Sequence, residues 1–273
     1  MQTIDWANRP WVALSVADMA AGLAVPSMLS YEESQLYHWL GKRATGIGAV
    51  ADIGAFAGGS AARLLSGLAV GASTATLHAF DRFTAHRPAR EAHLYPHGMP
   101  VTESDDILPL VEQFLSPWRH RLKLWRGDIA TQRWTGEPLE IIAIDAGKSP
   151  RLTDHIAAEF LTCAVPGHSV IVHQDFLHAS QPWLAVQMLG LQDQFKPVAL
   201  VAKDCVVFEC VQAVTSRALA NSAVEGKTDA DLIEGLRRAK AVYAPLVPPD
   251  RFQAMIRKIK ANPGVRVAWK MTR

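Results

Sequence analysis

From residue 48 onward the apolar positions of this chain gather into short runs, each followed by a segment long enough to form a helix. The runs are 48–53 (GAVADI), 75–80 (ATLHAF), 121–126 (RLKLWR), 139–144 (LEIIAI), 168–173 (HSVIVH), 197–202 (PVALVA) and 205–211 (CVVFECV). Helical spacing fits the intervals 58–70, 104–117, 152–164 and 180–193. Strands that alternate with helices predict a mostly parallel sheet covered on both faces. The last two runs break the rhythm, because only Lys203 and Asp204 separate them. A parallel crossover needs a dozen or more residues, so these two strands must pair as an antiparallel hairpin. The predicted fold class is therefore α/β: a doubly wound, seven-stranded, mostly parallel Rossmann-like sheet with a C-terminal antiparallel hairpin.

The flanks read differently. Residues 1–45 are predicted to be a helical cap, anchored by "SYEESQLYHWLGK". There Ser30 is an N-cap candidate, Glu33 follows three residues later, and Leu36, Trp39 and Leu40 share a face. Beyond residue 212 the pattern is helical again. An amphipathic stretch at 229–243 precedes a turn rich in proline (Pro245, Pro248, Pro249) and a short helix from Arg251. The expected organisation is a cap (1–45), an α/β domain (46–212) and a helical C-terminal extension (213–273).

Composition narrows the class without changing it. The 273 residues are 49% hydrophobic and 20% charged, with a formal net charge of +2, so neither a nucleic-acid stripe nor a disordered chain is indicated. The apolar stretch 11–25 contains Asp18 and follows no basic segment, which argues against a signal peptide or a membrane span. Cys163, Cys205 and Cys210 show no Cys-x-x-Cys spacing, and buried free thiols in a cytoplasmic protein are expected. The eight Trp are scattered and read as packing residues.

Candidate chemistry collects where the strands end. The first runs into "ADIGAFAGGSAARLL", in which Gly54 allows a tight turn and Gly58-Gly59-Ser60 opens a helix. Such a loop brings backbone close to a ligand and aims helix N–H groups at it. The spacing is neither G-x-G-x-x-G nor G-x-x-x-x-G-K-[ST]; it is an acidic residue, then x-Gly-x-x-x-Gly. A glycine-rich turn required only by packing is the competing reading. The second strand ends at Asp81, the third is followed by Gly127-Asp128, the fourth by Asp145 and the fifth by "HQD". Open α/β sheets bind ligands along that rim, and a carboxylate at the end of strand two can accept both hydroxyls of a ribose.

With these features the stretch 48–211 resembles the class I S-adenosylmethionine-dependent methyltransferases, nearest to the macrocin-type and catechol-type small-molecule O-methyltransferases. The resemblance implies that Asp52, Gly54, Phe56, Gly58 and Ser60 line the methionine and ribose part of the cofactor. By the same likeness Asp81 and Arg82 serve the ribose, and Asp128 lies near the adenine. "IDAGKSP" resembles the Asp-Ala-Asp-Lys segment of the catechol-type enzymes. That likeness makes Asp145 a catalytic, cofactor-proximal metal ligand and Lys148 the base. Two departures matter. Gly147 replaces the second Asp, and His173-Gln174-Asp175 replaces the paired acids that end the fifth strand. Two readings stay open: a divalent metal such as Mg²⁺ held by Asp145, Gln174 and Asp175, or no metal and His173 as general base. The second is preferred, since His and a neutral amide make a soft shell for Mg²⁺.

The stretch 82–106 is long for a connection, carries His86, His93 and His97, and reads as a polar lid. The expected activity is methylation of a hydroxyl on a sugar or other small natural product, with no nucleic-acid or membrane partner. The terminal extensions are candidate walls for the acceptor and a candidate homodimer face. Rival readings are an NAD(P)-dependent Rossmann-fold oxidoreductase and a catalytically silent S-adenosylmethionine-binding or scaffold protein.

Overall fold

The computed structural model describes residues 4–71 and 73–272. Its seven strands form one sheet in the order β3-β2-β1-β4-β5-β7-β6, numbered along the chain. The chain packs as two compact units, Asn8–Gln132 and a second made of Arg133 onward with the residues up to Ala7. Among the described residues no helix is long and apolar enough to cross a membrane.

In the first unit a short turn, α1 (Ala20–Leu23), precedes α2 (Tyr31–Arg43), so the expected helical cap is one full helix preceded by short turns. Ser30 and Glu33 form the capping box that their spacing predicts: Ser30 Oγ accepts from Glu33 N, and Glu33 Oε2 accepts from Ser30 N. Next come β1 (Ala49–Ile53), α3 (Gly59–Val70), β2 (Leu77–Asp81), α4 (Arg87–His93), α5 (Leu108–Leu115) and β3 (Leu122–Arg126). β1 runs parallel to β2, and β2 parallel to β3. Every residue of β1 is buried, as a strand covered on both faces must be.

Glycine sets how closely α2 and α3 approach. A Cβ at Gly41 would lie 2.2 Å from the Leu64 carbonyl oxygen, and one at Gly67 only 2.0 Å from that of His38. The 82–106 stretch is more ordered than a plain loop. Arg90 is 2% exposed and ties it together, donating from Nη1 to the carbonyls of Ala85 (2.7 Å) and Ser104 (2.9 Å) and to Asp105. Its Nε donates to Tyr95 Oη at 3.1 Å. A buried guanidinium needs that many acceptors, so the segment folds around it.

The second unit contains β4 (Leu139–Ile144), α6 (Pro150–Glu159), β5 (Val170–His173), α7 (Pro182–Gly190), β6 (Phe195–Val201) and β7 (Cys205–Cys210). α8 (Ser216–Ser222), α9 (Asp229–Tyr243) and α10 (Pro249–Ala261) follow. β4 and β5 are parallel, with Ile144 opposite His173. β7 is antiparallel to both β5 and β6, so the closing hairpin inserts its second strand beside β5. Pro197 lies on β6 at the sheet edge, where a missing N–H is tolerated. Phe176, Phe208, Tyr243 and Phe252 pack ring against ring, pinning α9 and α10 to this unit. Cys205 and Cys210 are buried and Cys163 is half-buried, all as free thiols.

The α2–α3 contact yields a test. Gly41→Ala should lower stability by about 1–3 kcal/mol, because the methyl meets backbone that cannot step aside. Urea denaturation checks this, and an unchanged midpoint would mean that the two helices separate at little cost.

Candidate active site

The glycine loop lies wholly in the first unit. Gly54 (φ +96°) and Gly58 (φ +83°) adopt the left-handed backbone that lets the chain turn from β1 into α3. The N-cap of α3 is Gly58, which has no side chain to cap the first N–H groups of the helix. Asp52 is 2% exposed within β1, and its Oδ2 accepts a hydrogen bond from Ser60 Oγ at 2.7 Å. The carboxylate and the helix start are thereby held as one piece.

Asp81, the last residue of β2, organises the rest of this rim. Its Oδ2 accepts from Phe56 N at 3.1 Å and its Oδ1 from Phe83 N at 2.7 Å. Phe56 (φ 45°) and Phe83 (φ 52°) both take the left-handed conformation that non-glycine residues rarely adopt. Holding them so costs on the order of 1–3 kcal/mol each, which the paired amide bonds to Asp81 help to offset. Burial pushes the Asp81 carboxyl up, and the N–H groups of Phe83 and Phe56 work against that. The Arg82 N–H also bears on this carboxyl, and the four acceptor sites of a carboxylate leave room for a ligand beside these three donors. Arg82 pairs with Asp128, but both side chains are largely exposed, and such a pair adds little stability. Asp128 Oδ1 also caps Ala130 N at 3.0 Å, so this carboxylate is largely engaged in holding its own turn.

The second unit carries a separate polar cluster at the ends of β4 and β5. Lys148 Nζ donates to Asp145 Oδ1 at 2.7 Å and to Asp175 Oδ2. Gln181 Nε2 donates to the same Asp175 oxygen at 2.6 Å. Burial alone would lower the lysine pKa, but the two carboxylates outweigh it and hold Lys148 charged, above its ordinary value. That corrects the expectation of a neutral lysine ready to accept a proton. Asp175 is held below the usual carboxylate range: burial acts to raise it, and the Lys148 ammonium more than reverses this. Asp145 moves the other way, to about 6, pushed up by burial against the pull of Lys148.

His173 ends β5 beside this cluster and is 2% exposed. Its ring packs against Phe176, with centroids 5.9 Å apart. Burial lowers its pKa to about 4, so the imidazole is neutral at physiological pH. Nδ1 is enclosed without a hydrogen-bond partner. Gln181 Oε1 is also enclosed and unpartnered, and its orientation follows from chemistry: a carboxylate only accepts, so the amide N–H₂ must face Asp175. Gln181 carried no signal in the sequence, because it lies six residues beyond Asp175 in an irregular turn.

The structure thus gathers Asp52, Gly54, Phe56, Gly58, Ser60 and Asp81 on one rim, with Arg82 and Asp128 farther out as an exposed pair. It gathers Asp145, Lys148, His173 and Asp175 on the other. Gln174 contributes its backbone N–H to Ile144 O at 3.0 Å, extending the β4–β5 pairing.

The expected metal shell of Asp145, Gln174 and Asp175 does not fit this arrangement. An ammonium already bridges the two carboxylates, the bridged oxygen of Asp175 also takes Gln181, and the third donor is a neutral amide. A hard divalent cation asks for six or more oxygen ligands with the carboxylates free to face it. Among the described residues, no group of three or more His, Cys, Asp and Glu is placed to hold a metal ion.

No family model matches the chain, and no curated protein matches it. Solved structures that resemble it include the O-methyltransferase NovP, at 12% identity and a TM-score of 0.47, over 66% of this chain and 78% of that one. The SAH-bound methyltransferase PaMTH1 of Podospora anserina is 13% identical with a TM-score of 0.46, over 77% and 89% of the two chains. A methyltransferase from Geobacter sulfurreducens is 13% identical with a TM-score of 0.44, over 74% and 89%. At such identities the fold stands on its own strand order.

The buried histidine has a measurable signature. Its folded-state pKa of about 4 lies below the unfolded value of about 6.5, so only the unfolded chain binds that proton between those values. The contribution is fully present above pH 6.5 and is lost as pH falls towards 4, by up to about 3 kcal/mol. Stability-versus-pH curves of wild type and His173→Phe should therefore diverge across this window, with wild type falling more steeply. Parallel curves would place the imidazole in water.

Proposed function

We propose that the protein is an S-adenosylmethionine-dependent methyltransferase acting on a hydroxyl of a small-molecule acceptor. The observation that carries the reading is Asp81, which fixes the glycine loop through Phe56 N–H and keeps acceptor capacity for a ribose diol. The strand order, closed by an inserted antiparallel β7, supports the same class. A nicotinamide reading lacks its G-x-G-x-x-G signature.

The cofactor supplies an electrophilic methyl group carried on a sulfonium. The first turn of α3, left without a side-chain cap by Gly58, would attract its carboxylate through the positive end of the helix dipole. Asp81 would accept the ribose hydroxyls, while Asp52 and Ser60 keep the loop in shape.

For the acceptor, the neutral His173 is the base. Nδ1 is enclosed, which leaves Nε2 to take the hydroxyl proton as the oxygen becomes nucleophilic. Lys148 cannot share that role while two carboxylates hold its protons. It uses two of its three N–H bonds on Asp145 and Asp175, and the third can be donated to the oxygen as negative charge develops.

Calorimetric titration with S-adenosylmethionine and S-adenosylhomocysteine, with NADH as control, tests the class. Binding of the first two alone is expected; no binding to folded protein would sink the reading. Asp81→Ala should weaken S-adenosylhomocysteine at least about tenfold, the loss of a hydrogen-bonded charge costing roughly 1.5–3 kcal/mol. His173→Ala should leave that affinity unchanged and lower turnover on a panel of hydroxylated acceptors by about 10²–10⁴-fold. Full turnover in the variant would remove the histidine from the chemistry.

A further inference from the structure

We infer that the Lys148 ammonium is a built-in substitute for a divalent cation, bridging Asp145 and Asp175 where the resemblance placed a metal. Three independent features of the structure carry this. The first is the contact itself: one Nζ reaches carboxylates from two strand ends, Asp145 after β4 at 2.7 Å and Asp175 after β5.

The second is that the backbone delivering the lysine is clamped. Lys148 N donates to Ala146 O at 2.7 Å, and Lys148 O accepts from Ala268 N at 3.0 Å. Between them, Gly147 O accepts from Trp183 Nε1 at 2.7 Å. Strand end, α7 and the C-terminal segment all hold this short loop, so the ammonium is positioned rather than free to swing.

The third is the fate of the remaining ligand positions. The similar segments of catechol-type enzymes carry an acid where this chain has Gly147. A Cβ there would lie 2.6 Å from Leu184 Cδ2 and 3.2 Å from Thr153 Oγ1, so a longer side chain would have to displace the tip of Leu184 on α7. Asp175 Oδ2 already accepts from both Lys148 and Gln181. Two carboxylates and one ammonium leave one net negative charge. A divalent ion would have to evict the lysine and strip the glutamine to find its ligands.

The consequence is that deleting the ammonium should uncover a cation site. The test is Mn²⁺ binding, followed by electron paramagnetic resonance of the free ion, on folded wild type, Lys148→Ala, and Lys148→Ala combined with Asp145→Asn. Lys148→Ala is expected to bind one Mn²⁺ at least about tenfold more tightly than wild type, because a unit positive charge at contact distance has been removed. The double variant should lose that gain.

Equal affinities in wild type and Lys148→Ala, including no binding to either, would overturn the inference. So would Mn²⁺ binding to wild type that Asp145→Asn abolishes. Should the alanine variant fail to fold, Lys148→Gln, which keeps most of the stem without the charge, is titrated in its place. The measurement uses the metal alone, so failure of the methyl-transfer reading would show as absent cofactor binding and leave this result standing.

Discussion

Burial of the central strands on both faces is the constraint from which the rest follows. In β1 and β4 every residue is enclosed, so a polar side chain has almost nowhere to go but the strand ends. Two enclosed residues, Asp52 in β1 and Glu140 in β4, break that rule. Asp52 lies one residue inside β1 and is satisfied by Ser60 from the following helix, which ties the loop between them into a fixed shape. Polar groups displaced to the strand ends accumulate there, and their mutual pairing creates the two rims. Function at the ends of strands is in this sense a by-product of what the strands must exclude.

The fold was largely legible because its signals are local. Short apolar runs gave the strands, the two-residue gap at Lys203–Asp204 required a hairpin, and Ser30 with Glu33 fixed a helix start. Boundaries shifted where side chains intervened. β5 begins at Val170, for example, and the Ser169 hydroxyl just before it donates to Leu139 O and accepts from Val165 N. The 82–106 stretch reads as a lid for its length and its histidines, yet the residue that shapes it is Arg90. An arginine among several others gives no sign in sequence of being the one that is enclosed.

The candidate site was legible in its members and not in their pairings. The spacing of "IDAGKSP" shows a carboxylate and an amine three residues apart, but not that Asp175 closes the other side. That depends on the register of β4 against β5, with Ile144 opposite His173, and on one irregular turn that brings Asp175 and Gln181 back together. Proton affinities depend on those pairings. An isolated Lys148 beside a cation could shed its proton; the same lysine between two anions cannot.

The cluster then divides its chemistry by environment. Lys148 has bonds to two carboxylates and stays charged, so it is suited to stabilising negative charge and unsuited to removing a proton. His173 has an aromatic neighbour and no hydrogen-bonded carboxylate, so burial decides its state and keeps it neutral. Exchanging the two environments would exchange the roles. Asp175 acts on both: its Oδ2 accepts from Lys148 and Gln181, and its charge works to raise the histidine pKa without overcoming burial. Burial thus leaves a neutral imidazole beside an ammonium that two carboxylates keep charged.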